Sequence, residues 1–208
     1  MNVVVFDTRV GNLHSLCKAI EAGGARVRVE ADPARLLDGD ALVLPGVGAF
    51  GAAAGRLAPA AAAVATALRD GFPALGICLG MQLLLDASEE GAGAGLGVIA
   101  GRVRRLRAPR VPHMGWNAVE PVEPADPIFA GAEPLIAYYA NSYVAEPADA
   151  ARVIAWTEYG GERFPAAVRA ANAWGVQFHP EKSGAPGLRL LRNFLRQAGA
   201  VSVPRRMP

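Results

Sequence analysis

Lysine is almost absent from this sequence: of 21 basic residues only Lys18 and Lys182 are lysines, and the rest are arginines. Against 19 acidic residues this leaves a formal net charge of +2, so no overall attraction to nucleic acid or to an anionic membrane follows. Cysteine is equally scarce. Cys17 and Cys78 cannot form a disulfide framework, which points to a reducing compartment. Long hydrophobic runs are lacking too: Leu75 to Leu85 is apolar but glycine-broken and well short of the ~20 residues a membrane span needs. Met1-Asn2 leads directly into Val3-Val4-Val5-Phe6-Asp7, with no basic leader and no cleavage motif. A cytoplasmic chain without membrane attachment is expected.

What the chain does have is the composition of a globular protein, 52% apolar and 19% charged over 208 residues, enough for one α/β domain with a substantial core. Its first 85 residues repeat strand, turn and helix. Val3 to Phe6 is a continuous apolar run, as in a strand covered on both faces. A Gly11-Asn12-Leu13 turn leads into a helix through Glu21, closed by Gly23-Gly24. Ala25 to Glu30 alternates and reads as a half-exposed strand, and Ala41 to Leu44 is a third strand. Ala52 to Arg69 reads as one alanine-rich helix, and Phe72 to Ile77 as a buried strand. This order predicts a mostly parallel central sheet with helices on both faces.

After the loop from Glu89 to Gly97, short strands are expected at Val98–Leu106, Asn117–Val122, Leu135–Tyr139, Arg152–Glu158 and Ala166–Ala170. Proline and glycine turns separate them, which predicts a mixed extension of the sheet. Trp174 to Phe178 is a further strand and Gly187 to Ala198 a terminal helix. One domain over residues 1–200 is expected, with a loose tail over 201–208.

The chemistry concentrates at Pro73 to Gln82. A buried strand runs into Gly76-Ile77-Cys78-Leu79-Gly80, and Leu79 to Leu85 opens a helical pattern. This frame matches a nucleophile elbow, in which the flanking glycines prevent a clash at a sharp strand-to-helix bend. Cys78 would then sit at a helix N-terminus, where the backbone dipole favours a thiolate. Of the three histidines only His179 has a carboxylate at useful spacing. Glu181 lies two residues on, so at extended geometry both side chains point the same way, and Pro180 reinforces that geometry. A carboxylate beside imidazole holds its tautomer and stabilises the imidazolium, which makes Cys78, His179 and Glu181 a candidate triad. An isolated buried cysteine is usually structural; that reading holds for Cys17, whereas the elbow glycines and the His-x-Glu favour catalysis at Cys78. No metal-ligand spacing is present. Pro45-Gly46-Val47-Gly48 is a glycine-rich turn at a strand's end, able to aim backbone N–H groups at a developing oxyanion. The Leu79 N–H, directly after the nucleophile, is the second candidate donor.

Gly76 to Gln82 together with Gln177-Phe178-His179-Pro180-Glu181 resembles the class I, triad-type glutamine amidotransferases. Within that family four features resemble the glutaminase subunits of imidazole glycerol phosphate synthase. These are Asp7 followed by Gly11-Asn12-Leu13, then Leu44 to Phe50, then Val111-Pro112-His113-Met114-Gly115-Trp116-Asn117, and finally Gln177 to Ser183. The resemblance runs from about residue 3 to residue 197. It implies a Cys78–His179–Glu181 triad, an oxyanion hole from Gly48 and Leu79, and glutamine held by Gln82, Glu90, Ser142 and Tyr143. It also implies that Trp116, Tyr138 and Lys182 face a (β/α)8 synthase subunit in a heterodimer, with ammonia passing through that barrel to a phosphoribosyl-formimino intermediate. No cofactor and no metal are implied. Thr8-Arg9-Val10 departs from a Tyr-Gly-Ser-like triplet, and Asn141 stands where the family usually has His.

Three other readings compete. A sister glutaminase serving a pyridoxal phosphate or anthranilate synthase is disfavoured by Val111 to Asn117. A catalytically silent regulatory module is disfavoured by the intact Cys78, His179 and Glu181. Nucleic-acid binding through Arg102, Arg104, Arg105, Arg107 and Arg110 competes with a solvated edge strand whose arginines pair with neighbours, and the low net charge favours the strand.

Overall fold

Four consecutive apolar residues with no polar alternation can be satisfied only by cover on two faces, and Val3 to Phe6 have essentially no exposure. The computed structural model describes residues 1–9, 13–46, 48–122 and 125–201. The first half runs β1 (Asn2–Phe6), α1 (His14–Glu21), β2 (Arg26–Glu30), β3 (Ala41–Leu44), α2 (Phe50–Leu57), α3 (Ala61–Arg69) and β4 (Ala74–Ile77). Next come a one-turn helix α4 (Leu79–Gln82), β5 (Ala87–Ser88), β6 (Gly101–Arg105), β7 (His113–Ala118), β8 (Glu120–Pro121), β9 (Ile136–Asn141) and β10 (Tyr143–Pro147). The chain ends with β11 (Val153–Tyr159), β12 (Glu162–Ala170), β13 (Ala173–Val176) and α5 (Gly184–Ala200).

Eight strands form the main sheet in the order β2-β1-β3-β4-β13-β12-β11-β8. From β2 to β13 neighbours are parallel, and β12, β11 and β8 add antiparallel strands. Because successive strand residues face opposite ways, the sheet carries two cores. Val3, Val5, Val43, Leu75 and Ile77 pack toward α1 and α5, with Ile20, Leu190 and Phe194. Val4, Phe6, Leu42 and Leu44 pack toward α2 and α3, with Leu57, Val64 and Leu68. Each such side chain contributes about 1.5–3 kcal/mol when fully buried.

The alanine-rich segment is not one helix. Ala58–Ala60 forms a 3-10 turn between α2 and α3, because Pro59 supplies no N–H to a continuous ladder. Phe50–Arg69 is, by length and composition, apolar enough to cross a membrane; here Phe50, Ala53, Leu57, Val64 and Leu68 pack onto the sheet. The second half extends the main sheet with mixed strands, but five of its short strands separate from it. β10, β6 and β5 form one small sheet, and β7 pairs with β9 in a two-stranded ribbon. Tyr143–Pro147, not expected as a strand, pairs antiparallel with β6. That pairing places β6 between two neighbours instead of at an edge. Two of its arginines are taken up locally: Arg102 and Arg104 meet Glu146 at 2.7 and 2.9 Å, and Arg104 also meets Glu162 at 2.5 Å. The Gly11-Asn12 turn, Val10, Val47 and the tail beyond Val201 lie outside the described residues.

The ribbon has a wet and a dry face. Met114, Trp116 and Ile136 are exposed on one side, while His113, Ala137, Tyr139 and Asn141 are buried on the other. The His113 ring stacks on Tyr139 and Tyr159 at centroid distances of 4.7 and 4.0 Å. Burial there pushes its pKa down to about 4, from the ordinary 6.5. Above pH 6.5 the ring is neutral whether folded or unfolded. Between 6.5 and 4 the unfolded chain binds the extra proton, so stability falls as pH falls through that window. At pH 5 the loss from this group is about 2 kcal/mol. His113→Phe keeps a ring in the stack, and Asn117 retains its bond to the Glu158 carbonyl. Urea unfolding at pH 7 and pH 5 should show a smaller loss for His113→Phe than for the parent; equal losses would refute the assignment.

Candidate active site

Cys78 joins β4 to α4 with φ 48° and ψ −102°, a backbone conformation that L residues rarely adopt. The bend is possible because both flanking residues lack a side chain. A Cβ on Gly76 would lie 2.4 Å from the Gly80 carbonyl oxygen, and one on Gly80 would lie 1.9 Å from the Leu44 carbonyl oxygen. The neighbouring β13 holds the bend from one side, since the Cys78 N–H donates to the Val176 carbonyl at 2.7 Å. On the other side Gly46, just past β3, fits against the nucleophile. A Cβ there would meet the Ile77 carbonyl, Cys78 Cβ at 2.9 Å and His179 Cε1 at 3.1 Å. Gly46 is thus required for close approach, whereas Gly48 carries the positive φ of 116°.

The helix after the elbow is shorter than the sequence pattern suggests. It ends at Gln82, and Leu83 to Leu85 continue in turns. Leu83, Leu84 and Leu85 are all buried, so their apolar character reflects core cover and not another turn of helix. A one-turn helix offers little macrodipole to a group at its N-terminus.

His179 follows β13, its Nδ1 2.9 Å from Glu181 Oε1, with both side chains largely buried. Glu181 arrives there by a different route from the expected one. Pro180–Lys182 is a 3-10 turn and not extended chain, with Pro180 at its first position, where no N–H is needed. Burial works against a charged His179 ring, yet hydrogen bonds and charge from Cys78 and Glu181 outweigh it and raise the pKa to about 9. Near neutral pH the ring is therefore an imidazolium, set between Cys78 and the Glu181 carboxyl group.

A cavity of about 300 Å³ opens at this pair. Its wall includes Gly48, Cys78, Leu79, Gln82, Glu90, Ser142, Tyr143, His179 and Lys182. The expected nucleophile, base, oxyanion donors and substrate-holding residues therefore meet at one place, with Glu181 behind His179. The loop carrying Glu90 is pinned: its N–H donates to Ser88 Oγ at 3.1 Å, and Oε2 accepts from the Phe50 N–H at 2.8 Å. Trp116 and Tyr138 lie outside the cavity on the exposed ribbon face, edge to face at 6.0 Å. Lys182 belongs to both regions, lining the cavity with Nζ 5.8 Å from the Tyr138 ring centroid. Asn141 also lines the cavity, and its Nδ2 donates to the Tyr143 carbonyl at 3.1 Å. Gln177, singled out only as part of a motif, is fully buried with Nε2 3.4 Å from Cys78 Sγ. Nothing in spacing alone could reveal that contact. Among the described residues no cluster of metal-binding side chains occurs.

The family model for class-I glutamine amidotransferases matches residues 4–198. Among curated proteins, the imidazole glycerol phosphate synthase subunit HisH of Synechococcus elongatus is 43% identical, over 97% of this chain and 95% of that protein. The subunit of the same name from Halobacterium salinarum is 47% identical, over 93% of this chain and 92% of its own length. Among solved structures, a crystal structure of a glutamine amidotransferase superposes with TM-score 0.75 at 21% identity, covering 95% of this chain and 98% of the other. PurLQS from Thermotoga maritima superposes with TM-score 0.71 at 19% identity, over 94% and 98% of the two chains. These structural likenesses concern the fold.

The elbow contacts set a sharp expectation for Gly80→Ala. The new Cβ would overlap the Leu44 carbonyl oxygen, which is backbone and cannot swing aside. Overpacking typically costs about 1–3 kcal/mol, and a backbone clash this close belongs at or beyond the upper end. Thermal unfolding should show a large drop in Tm or no folded protein at all. A variant as stable as the parent would mean that the elbow has room the structure does not show.

Proposed function

Because the chain belongs to the class-I glutamine amidotransferases, we infer that the cavity at Cys78 hydrolyses the side-chain amide of glutamine. The chain is an enzyme of that type and a subunit of imidazole glycerol phosphate synthase, at work in histidine biosynthesis, as its relatives at 43–47% identity are named. The observation that carries the site assignment is the meeting of Cys78 and His179 at one cavity wall, with Glu181 bonded to the ring from behind.

In the proposed mechanism the Cys78 thiolate attacks the amide carbon of glutamine. The developing oxyanion is met by the backbone N–H groups of Gly48 and Leu79, each such donor being worth about 10²–10³ in rate. Gln82, Glu90, Ser142 and Tyr143 hold the amino-acid end of the substrate. His179, charged at neutral pH with its pKa near 9, gives its proton to the departing ammonia. The γ-glutamyl thioester that remains carries no negative charge on sulfur. Part of what raised the His179 pKa was the charge on Cys78, so acylation lowers it again. The ring can then act as base toward the water that releases glutamate. Glu181 holds Nδ1 throughout, leaving Nε2 as the working nitrogen.

We assign the ammonia to a synthase subunit docked on the ribbon face. Met114, Trp116 and Ile136 form an exposed apolar patch beside Tyr138 and Lys182, and Lys182 also reaches the cavity wall. A (β/α)8 partner seated there would receive ammonia beside the site that makes it. The cytoplasm is the compartment this reading implies.

Cys78→Ala should abolish glutamine hydrolysis by the complex but preserve synthesis fed with ammonium salts, since the partner needs only ammonia. Retained glutamine hydrolysis would remove Cys78 as nucleophile. Trp116, 58% exposed, can be truncated without opening the core. Trp116→Ala should weaken partner binding by roughly 30-fold, the size of an aromatic hot spot, while thermal stability stays unchanged. Sedimentation of the mixed subunits reads the difference, and unaltered affinity would move the interface elsewhere.

A further inference from the structure

With α4 only one turn long, a thiolate at Cys78 lacks the helix dipole that an elbow cysteine would otherwise draw on. The charged groups around it are His179, lining the same cavity, Glu181 behind that ring, and Glu90 and Lys182 on the cavity wall. One neutral donor also reaches the sulfur. Gln177 Nε2 lies 3.4 Å from Cys78 Sγ, and Gln177 is 0% exposed. We propose that Gln177 is a thiolate-stabilising residue whose carboxamide holds Cys78 Sγ in the charged, attacking form.

The orientation of that carboxamide follows from a backbone anchor. The Tyr143 carbonyl can only accept, so the Gln82 nitrogen must be the atom 3.1 Å from it. That same Nε2 lies 3.4 Å from Gln177 Oε1, so the Gln177 oxygen faces Gln82 and its nitrogen faces sulfur. A reversed Gln177 would set its NH2 against the Gln82 NH2 and its oxygen against the thiolate, losing both bonds. The chain Tyr143 carbonyl, Gln82, Gln177, Cys78 thus aims an N–H at the sulfur. A hydrogen bond made to the charged form of a group favours that form. Gln177 sits just past β13, two residues before His179, so one strand end delivers both the ring that pairs with the thiolate and the amide that holds it.

The inference rests on Cys78 being the nucleophile, and the test separates the two. Alkylation by iodoacetamide is followed against pH by mass spectrometry in a Cys17→Ser background, with the synthase partner present and absent. The thiolate reacts, so the midpoint of the rate profile reports its formation. Gln177→Met removes the donor but keeps length and apolar bulk, and Gln82 keeps its bond to the Tyr143 carbonyl. The midpoint should rise by about one pH unit, a roughly tenfold loss of thiolate below the midpoint. Gln177→Glu, which places a carboxylate against the sulfur, should raise it further. Gln82→Met, which frees the Gln177 amide to turn, should raise it less than Gln177→Met does. Far-UV circular dichroism identifies any variant that does not fold, and the remaining variants carry the test. Midpoints equal to the parent's in the folded variants would overturn the inference while leaving the nucleophile in place. A Cys78 that reacts no faster than a free thiol in the parent would overturn both.

Discussion

At Cys78 the chain holds φ 48°, and a residue in so sparse a region costs on the order of 1–3 kcal/mol. That strain persists because three strands surround it. β4 leads in, β13 takes the Cys78 N–H, and the end of β3 comes so close that Gly80 has no room for a Cβ against the Leu44 carbonyl. The sheet order β3-β4-β13 is therefore more than a topological label. Each adjacent strand end delivers one part of the site: the Gly46–Gly48 turn from β3, the nucleophile from β4, and Gln177 and His179 from β13. Separate any pair of these strands and the bend loses a wall and the cavity loses a function.

The same strand ends connect the cavity to the outer ribbon through the backbone. The His179 N–H donates to the Tyr138 carbonyl at 2.8 Å, and the Tyr138 N–H donates to Ser183 Oγ at 2.9 Å. The Ser183 hydroxyl in turn donates to the His179 carbonyl at 2.6 Å. The backbone of the proposed base is thus tied to β9, which carries the Tyr138 side chain beside the exposed patch.

Charge in the site is balanced locally. Burial opposes an imidazolium at His179, and only the combined pull of Cys78 and Glu181 raises its pKa to about 9. His113, buried against the rings of Tyr139 and Tyr159, goes the opposite way, to about 4. Two histidines of one chain differ by roughly five units because one faces anions and the other faces rings. Arg102 and Arg104 on β6 follow the same logic, their guanidinium groups answered by Glu146 and Glu162.

Local pattern was sufficient for what depends on neighbours in sequence. The apolar runs at Val3–Phe6, Ala41–Leu44 and Phe72–Ile77 determine buried strands, and Gly76-x-Cys78-x-Gly80 determines a bend, because side-chain period and glycine freedom act over a few residues. The His179–Glu181 contact was legible too, although a 3-10 turn and not an extended strand brings it about. What pattern could not decide were distances between segments far apart in the chain. Gln177 and Cys78 meet 99 residues apart, Gln82 and Tyr143 meet 61 apart, and β7 pairs with β9 away from the main sheet. The length of α4 also escaped, since Leu83 to Leu85 are apolar to fill a core, a demand that reads like helix until the packing is known. Such contacts arise only when the sheet stacks its strand ends, and no local preference encodes which ends those are.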